Sequence, residues 1–252
     1  MKAFNIRQAK LSSLANLIPD ESIKRIRRRY PIFSHKRDGR SQRLFAEIHQ
    51  AAQYNGTGFR EPFAEIVKLY DDYADAIVLV TDNILFEGDP EWVRVAAMLT
   101  NKPLIVLDIF LVEAQIDEAY INGADAIILI VSLLEEEELK KLHEKADFLG
   151  LDVIVEVQDK HELEKAINIG AKAIGINTRD INDLTRVELT KVSQLSKLIP
   201  EEIHIVAESG IKCPDEIRQY CQDAEAIIVG SALLVDDTIE ANLKRFALAV
   251  NT

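Results

Sequence analysis

Four stretches of the chain repeat one arrangement of polar and hydrophobic positions: an Asp, Lys or Glu, then Ala-Ile, then an apolar run. They are DAIVLVT from Asp75, DAIILIV from Asp125, KAIGIN from Lys172 and EAIIVG from Glu225. Their isoleucines, Ile77, Ile127, Ile174 and Ile227, are spaced by 50, 47 and 53 residues. Recurrence at a near-constant period marks one supersecondary unit used several times. Four further aliphatic runs fall between them: LFAEIH (44–49), LIVLD (104–108), VIVEV (153–157) and IHIVAE (203–208). Eight strand candidates thus alternate about every 25 residues.

Most of the intervals carry helical periodicity, as in Leu134, Leu139, Leu142 and Ala146, or Leu163, Ala166 and Ile167. Gly123, Gly150 and Gly170 stand where helix C-caps are expected. Strands that read as continuous apolar runs are buried on both faces, which implies a parallel sheet covered by helices. Eight such β-α units predict an α/β fold, a single-domain (β/α)8 TIM barrel over residues 43–252. A doubly wound open sheet is the competing architecture, but the chain has no G-x-G-x-x-G or Walker sequence. Residues 1–42 contain no strand candidate and are expected to form an N-terminal helical extension.

Composition narrows the class. The 252 residues are 48% hydrophobic and 29% charged, which suits a soluble globular chain. The longest apolar runs, such as AIILIVSLL at 126–134, fall short of the ~20 residues that a spanning helix needs. Met1 is followed by no hydrophobic targeting segment, so a cytoplasmic, non-membrane protein is expected. Cys213 and Cys221 flank a predicted helix without a histidine at metal-ligand spacing, so neither a metal nor a disulfide is expected. The net charge of -12 argues against nucleic acid or an anionic membrane as partner. Residues 24–43 run against that balance: nine basic side chains (Lys24, Arg25, Arg27, Arg28, Arg29, Lys36, Arg37, Arg40, Arg43) face one acid, Asp38. This segment reads either as a solvated, partly helical arm or as a funnel for anions.

Barrel active sites lie at the carboxyl ends of the strands. Glu47 and His49 share one face of the first strand, as Ile105 and Leu107 do on the third. Thr81 and Asp82 follow the second strand and Asp108 the third, while Glu156 interrupts the fifth. Asn177 and Arg179 follow the sixth, Glu208, Ser209 and Gly210 end the seventh, and Gly230 and Ser231 follow the eighth. An acid within an apolar strand is costly unless paired. Glu47, Glu156 and Glu208 are therefore either structural ion pairs with Arg179 or the basic segment, or groups for proton transfer and substrate orientation. Ser209-Gly210 and Gly230-Ser231 occupy the two turns where many barrels bind phosphate through backbone N–H groups.

These residues resemble a known family. AEIHQA (46–51), VLVTDNILFEGDPEWV (78–93), KPLIVLDIFLVEAQIDEAYINGADAIILIVSLL (102–134), VIVEVQDKHELEKAINIGAKAIGINTRDI (153–181), AESGIKCPDEI (207–217) and IIVGSALL (227–234) are similar to indole-3-glycerol-phosphate synthases of tryptophan biosynthesis. GIN-x-RD together with ESGI is the specific part. The resemblance implies a barrel with an N-terminal helical extension and a substrate, an anthranilate-bearing deoxyribulose phosphate, that is cyclised, decarboxylated and dehydrated without a cofactor. It implies catalytic roles for Glu47, Glu156 and Asn177, with His49 in a catalytic lysine's place. It implies substrate binding by Arg179, Glu208 and Ser209, and a phosphate cradle at Gly210, Gly230 and Ser231.

The departures concentrate at the chemistry. The family's first strand reads E-x-K, and here His49 replaces the lysine. Its first loop reads like K-x-S-P-S-x-G, and here Ala52, Gln53 and Tyr54 replace Ser-Pro-Ser. Its third strand reads R-K-D-F, and here the general-acid lysine is Leu107. Three functions stand as alternatives: a barrel that binds a phosphorylated small molecule with the ring-closing decarboxylation weak or absent, an active synthase with rerouted acid catalysis, or a non-enzymatic interaction scaffold. A monomer or weak homo-oligomer is expected.

Overall fold

The eight aliphatic runs close on themselves. The computed structural model describes residues 3–14, 17, 24–33, 42–50, 61–235 and 238–251. In chain order the elements are α1 (Ala3–Ser13), β1 (Arg43–Ile48), α2 (Phe63–Tyr73), β2 (Ala76–Val80), α3 (Glu91–Leu99), β3 (Leu104–Leu107) and α4 (Glu113–Ile121). They continue as β4 (Ala126–Ile130), α5 (Glu136–Phe148), β5 (Asp152–Val157), α6 (Lys160–Asn168), β6 (Ala173–Asn177), β7 (Arg179–Asp180) and β8 (Asp183–Val187). The chain ends with α7 (Thr190–Leu195), β9 (His204–Glu208), α8 (Pro214–Tyr220), β10 (Ala226–Val229) and α9 (Ile239–Ala249).

Strands β1 to β6, β9 and β10 form one closed parallel barrel in the order β1-β10-β9-β6-β5-β4-β3-β2. Closure excludes the open doubly wound sheet. The two remaining strands pair with each other as an antiparallel hairpin between β6 and α7, an insertion the strand count did not foresee. The seventh and eighth barrel strands are therefore β9 and β10.

Alternation along each strand divides the apolar residues between two layers. Phe45, Val78, Ile105, Ile128, Ile154 and Val206 fill the barrel interior, and the other set, with Ile77, Leu79, Ile127 and Ile174, packs outward against the helices. Leu139, Leu142 and Ala146 form the buried face of α5, and Leu134 is buried just before that helix. Gly123, Gly150 and Gly170 all take positive φ where α4, α5 and α6 end. Asp159 starts α6 by accepting from Glu162 N at 2.9 Å, while Glu162 Oε2 accepts from Gln158 N at 2.7 Å.

Residues 24–33 lie at the amino ends of the strands, the floor of the barrel. Arg25 Nη2 reaches Asp125 Oδ1 at 2.7 Å, Arg27 pairs with Asp125 Oδ2, and Arg29 pairs with Asp152. Arg27 also donates to the carbonyls of Thr100 and Lys102, both at 2.9 Å. Beyond the arginines, Ile32 and Phe33 join the interior cluster, and the Phe33 ring stacks on His204 at 4.1 Å. The described part of the segment is thus neither a solvated helix nor an anion funnel. The Arg25 and Arg27 side chains are only 10% and 8% exposed, and they face away from the end where the site lies. Lys36, Arg37, Asp38 and Arg40 lie outside the described residues.

Asp125 is completely buried and also accepts from the backbone N–H groups of Tyr30 and Leu104, at 2.8 and 2.9 Å. Removing its charge strands two guanidiniums, and breaking a buried pair by deleting one partner costs ~3–5 kcal/mol. Asp125→Asn should lower unfolding stability in urea by about that amount. Asp152→Asn disrupts a pair whose side chains are 35% and 31% exposed, and should cost under ~1 kcal/mol.

Candidate active site at the carboxyl ends of the strands

Three carboxyl groups converge where the strands end. Glu47 on β1, Glu156 on β5 and Glu208 at the end of β9 line one cleft of about 90 Å³, with Asn177, Arg179 and Ser209. Strand register sets the pairing, because Glu156 lies beside Gly175 and Asn177 beside Glu208. Asn177 Nδ2 donates to Glu156 Oε1 at 2.8 Å, and its Oδ1 accepts from Arg179 N at 2.9 Å. The backbone thus fixes which end of the amide faces the carboxyl.

Glu156 and Glu208 are 4% and 3% exposed and act on each other electrostatically. Burial pushes Glu156 up to about 7 despite the stabilising bond from Asn177. Burial raises Glu208 well above the ordinary carboxylate range, reinforced by the charges of Glu156 and Glu47. The pair therefore holds a proton between its two carboxyl groups near neutral pH. Glu208 Oε1 is buried with no hydrogen-bond partner. A side chain on β6 would occupy its space, since a Cβ on Gly175 would fall 1.8 Å from Oε1.

His49 is completely buried and turned along the barrel rim. Its Nδ1 lies 2.9 Å from Glu47 Oε1, its Nε2 lies 3.5 Å from Ser231 Oγ, and its ring meets Phe86 edge-on. It does not line the cleft among the described residues. The turns after β9 and β10 sit on neighbouring strands. Ser209 and Gly210 take successive positive φ values of 65° and 77°. Thr178 Oγ1 holds this turn by donating to Ser209 O at 2.8 Å. At Gly230 a Cβ would fall 2.3 Å from Glu47 Oε1, so glycine there leaves room for the β1 carboxyl.

The opposite wall of the cleft is apolar, formed by Leu85, Phe86, Leu107, Ile109, Ile130 and Leu133. Leu107 faces inward as its position on β3 predicts. Ala52, Gln53 and Tyr54 lie outside the described residues. Among the described residues neither Arg179 nor the basic segment pairs with the three glutamates, the two partners their structural reading offered. Arg179 Nη1 donates to Leu184 O in the hairpin at 2.5 Å.

Sequence reasoning missed Lys10. Helix α1 lies along the carboxyl-end rim: Ala3 N reaches Asn182 Oδ1 at 3.3 Å, and Arg7 donates to Leu133 O and Glu138 Oε1, each at 2.6 Å. One turn after the buried Ile6, Lys10 is 4% exposed, and its Nζ pairs with Asp108 and, at 3.3 Å, with Asp82. Asp82 in turn holds Leu85 N at 2.7 Å, and Asp108 accepts from Thr81 Oγ1 at 2.8 Å. The available signal was an isolated lysine four residues after Ile6 and four before Leu14, on one helical face.

A carboxyl whose pKa is higher in the folded chain than in the unfolded chain takes up a proton on folding, so stability falls as pH rises through that interval. For Glu156 the interval runs from 4.5 to about 7, and for Glu208 it extends upward from 4.5. Glu208→Gln should therefore raise Tm at pH 8 by ~2–4 °C, the shift that ~1 kcal/mol gives in a chain of this size. The gain should shrink toward pH 5, which thermal melts at the two pH values would show.

A family model described as indole-3-glycerol phosphate synthase matches residues 3–246. The chain is 36% identical over 200 residues to the indole-3-glycerol phosphate synthase of Thermoanaerobacter sp. (strain X514), covering 77% of this chain and 76% of that one. It is also 36% identical over 211 residues to the synthase of Caldanaerobacter subterraneus subsp. tengcongensis, covering 82% and 80%. Against the tryptophan biosynthesis protein TrpCF of Yersinia pestis it is 33% identical over 221 residues, 87% of this chain but only 46% of that longer protein. Among solved structures, 3-hexulose-6-phosphate synthase from Salmonella typhimurium superposes with a TM-score of 0.67 at 14% identity, covering 83% of this chain and 98% of that one. Thiamine phosphate pyrophosphorylase from Pyrococcus furiosus superposes at 0.62 and 18% identity, covering 84% and 96%. These two likenesses show a shared barrel fold, and the closed barrel together with the sequence matches places this chain in the indole-3-glycerol phosphate synthase family.

Proposed function

We propose that this barrel binds a phosphorylated small molecule at the turns after β9 and β10, and that the family's ring-closing decarboxylation is weak or absent in it. The observation that carries the reading is Leu107, which stands at the end of β3 in the wall of the cleft. Ring closure needs a proton delivered to the substrate carbonyl as the new C–C bond forms, and positive charge to stabilise the developing oxyanion. Leucine supplies neither. Loss of general acid catalysis alone costs ~10²- to 10⁴-fold.

His49 is a poor replacement in this arrangement, because its two nitrogens face Glu47 and Ser231 rather than the cleft. Lys10 carries a positive charge but sits between Asp82 and Asp108. Glu156, Asn177 and Glu208 remain in position to orient a ligand and move protons. The phosphate end is supported by the two turns themselves, on neighbouring strands, where Ser209 and Gly210 take successive positive φ values and Gly230 leads into Ser231. It is also supported by solved neighbours named for phosphate esters, among them the 3-hexulose-6-phosphate synthase and the thiamine phosphate pyrophosphorylase.

Purified protein incubated with the anthranilate-bearing deoxyribulose phosphate should give indole fluorescence at background. Leu107→Lys with His49→Lys should raise turnover at least tenfold, since Glu47 lines the same cleft and favours a charged lysine there. Background activity in the double variant would shift the deficit to the loop holding Ala52 to Tyr54. Strong turnover by the natural protein that disappears in His49→Ala would overturn the reading in favour of rerouted acid catalysis. Separately, Ser231→Asp places an anion in the proposed cradle and should abolish phosphate-ester binding in calorimetry. Unchanged affinity would mean that the phosphate sits elsewhere, and no binding by the natural protein would favour an interaction scaffold.

A further inference from the structure

The ring of strands fixes how a bound molecule must lie. In the barrel order β9 and β10 are neighbours, and β3 and β4 stand across the ring from them. A ligand anchored by its phosphate at β9 and β10 therefore extends toward Leu107 and Ile109 at and after the end of β3 and toward Ile130 and Leu133 at and after the end of β4. On the way it passes Glu47, Glu156 and Glu208, and Glu208 Oε1 is a buried acceptor with nothing bonded to it. Hydroxyl or amine hydrogens in the middle of the ligand suit those oxygens.

The far end meets a different chemistry. Among the described residues lining the cleft, Arg179 is the one cation, and its Nη1 is directed to Leu184 O. Lys10 is held outside by Asp82 and Asp108. A carboxylate carried to the β3–β4 side would lose water against leucine and isoleucine, find no described cation on those two strands to offset that loss, and stand in a cleft that already holds five acidic side chains. An uncharged ring loses nothing there and gains contact with Phe86 and Leu107.

We propose that the cleft selects a phosphate monoester whose far end is an uncharged ring, and discriminates against the same molecule bearing a carboxylate on that ring. This rests on the phosphate reading of the β9 and β10 turns and makes Leu107 the residue that sets specificity. A ligand of this class offers no carboxylate to lose, which agrees with the lack of a described cation where decarboxylation would need one.

Two unreactive ligands separate the outcomes: 1-phenylamino-1-deoxyribitol 5-phosphate and its 2-carboxyphenyl counterpart, titrated calorimetrically into the full chain at pH 7.5, with inorganic phosphate as reference. The phenyl ligand should bind at least tenfold more tightly than the carboxyphenyl one. Leu107→Lys should bring the ratio to parity or reverse it, and Leu107→Met should leave it unchanged. Equal or tighter binding of the carboxyphenyl ligand by the natural protein overturns the proposal. If neither aryl ligand binds but inorganic phosphate does, the ring selectivity is wrong and the phosphate reading survives. If none of the three binds, the phosphate reading fails and takes the proposal with it. The comparison on the natural protein decides without any variant, so a misfolded Leu107→Lys chain does not shelter the idea.

Discussion

A carboxylate taken out of water must be paired with a cation or keep its proton, and this barrel meets that demand differently at its two ends. At the floor, Asp125 is completely buried between Arg25 and Arg27, and it draws residues 24–33 under the strands. At the mouth, Asp82 and Asp108 share the single ammonium of Lys10, which holds α1 along the rim. Between those layers no described cation faces Glu156 and Glu208, and they use a shared proton instead. The segment before β1 is thus bound to both ends of the barrel through its charges.

That distribution links folding to the site. Asp82 positions the start of the loop carrying Leu85 and Phe86, and Asp108 precedes Ile109, so the Lys10 cluster organises the apolar wall of the cleft. The mouth and its lining are one construction. Burial raises the pKa of Asp108 while Lys10 opposes the shift, so the ammonium determines how much charge stands behind that wall. Gly175 and Gly230 act at the other side in a steric way, since any side chain there would displace the carboxyl of Glu208 or Glu47.

The barrel was legible because its signal is periodic and distributed over eight segments: each aliphatic run became a strand, and closure followed from their number. The inward residues at strand ends were legible too, since alternation fixes their direction once a strand is placed. What escaped were features set by long-range pairing. The count of basic residues from 24 to 43 could not say which end of the barrel they would meet; the partners, Asp125 and Asp152, lie about a hundred residues away, at β4 and β5. Lys10 looked like an ordinary surface lysine because the two acids that bury it belong to loops after β2 and β3. Arg179 was one of two partners open to the glutamates under their ion-pair reading, and the hairpin β7–β8, invisible in the repeat pattern, offers it the carbonyl of Leu184.

The leucine on β3 changes more than one position. A lysine facing this cleft would stabilise the charged forms of the carboxyls around it, because an opposite charge within ~4 to 6 Å favours ionisation. With Leu107 there, the same carboxyls see an apolar wall, and burial governs them: Glu156 rises to about 7 and Glu208 is also raised well above its ordinary value. Buried together, the two carboxyls hold a proton near neutral pH. A cleft in that state presents a proton and apolar contact at its centre, and its described lining has little means of accommodating further negative charge.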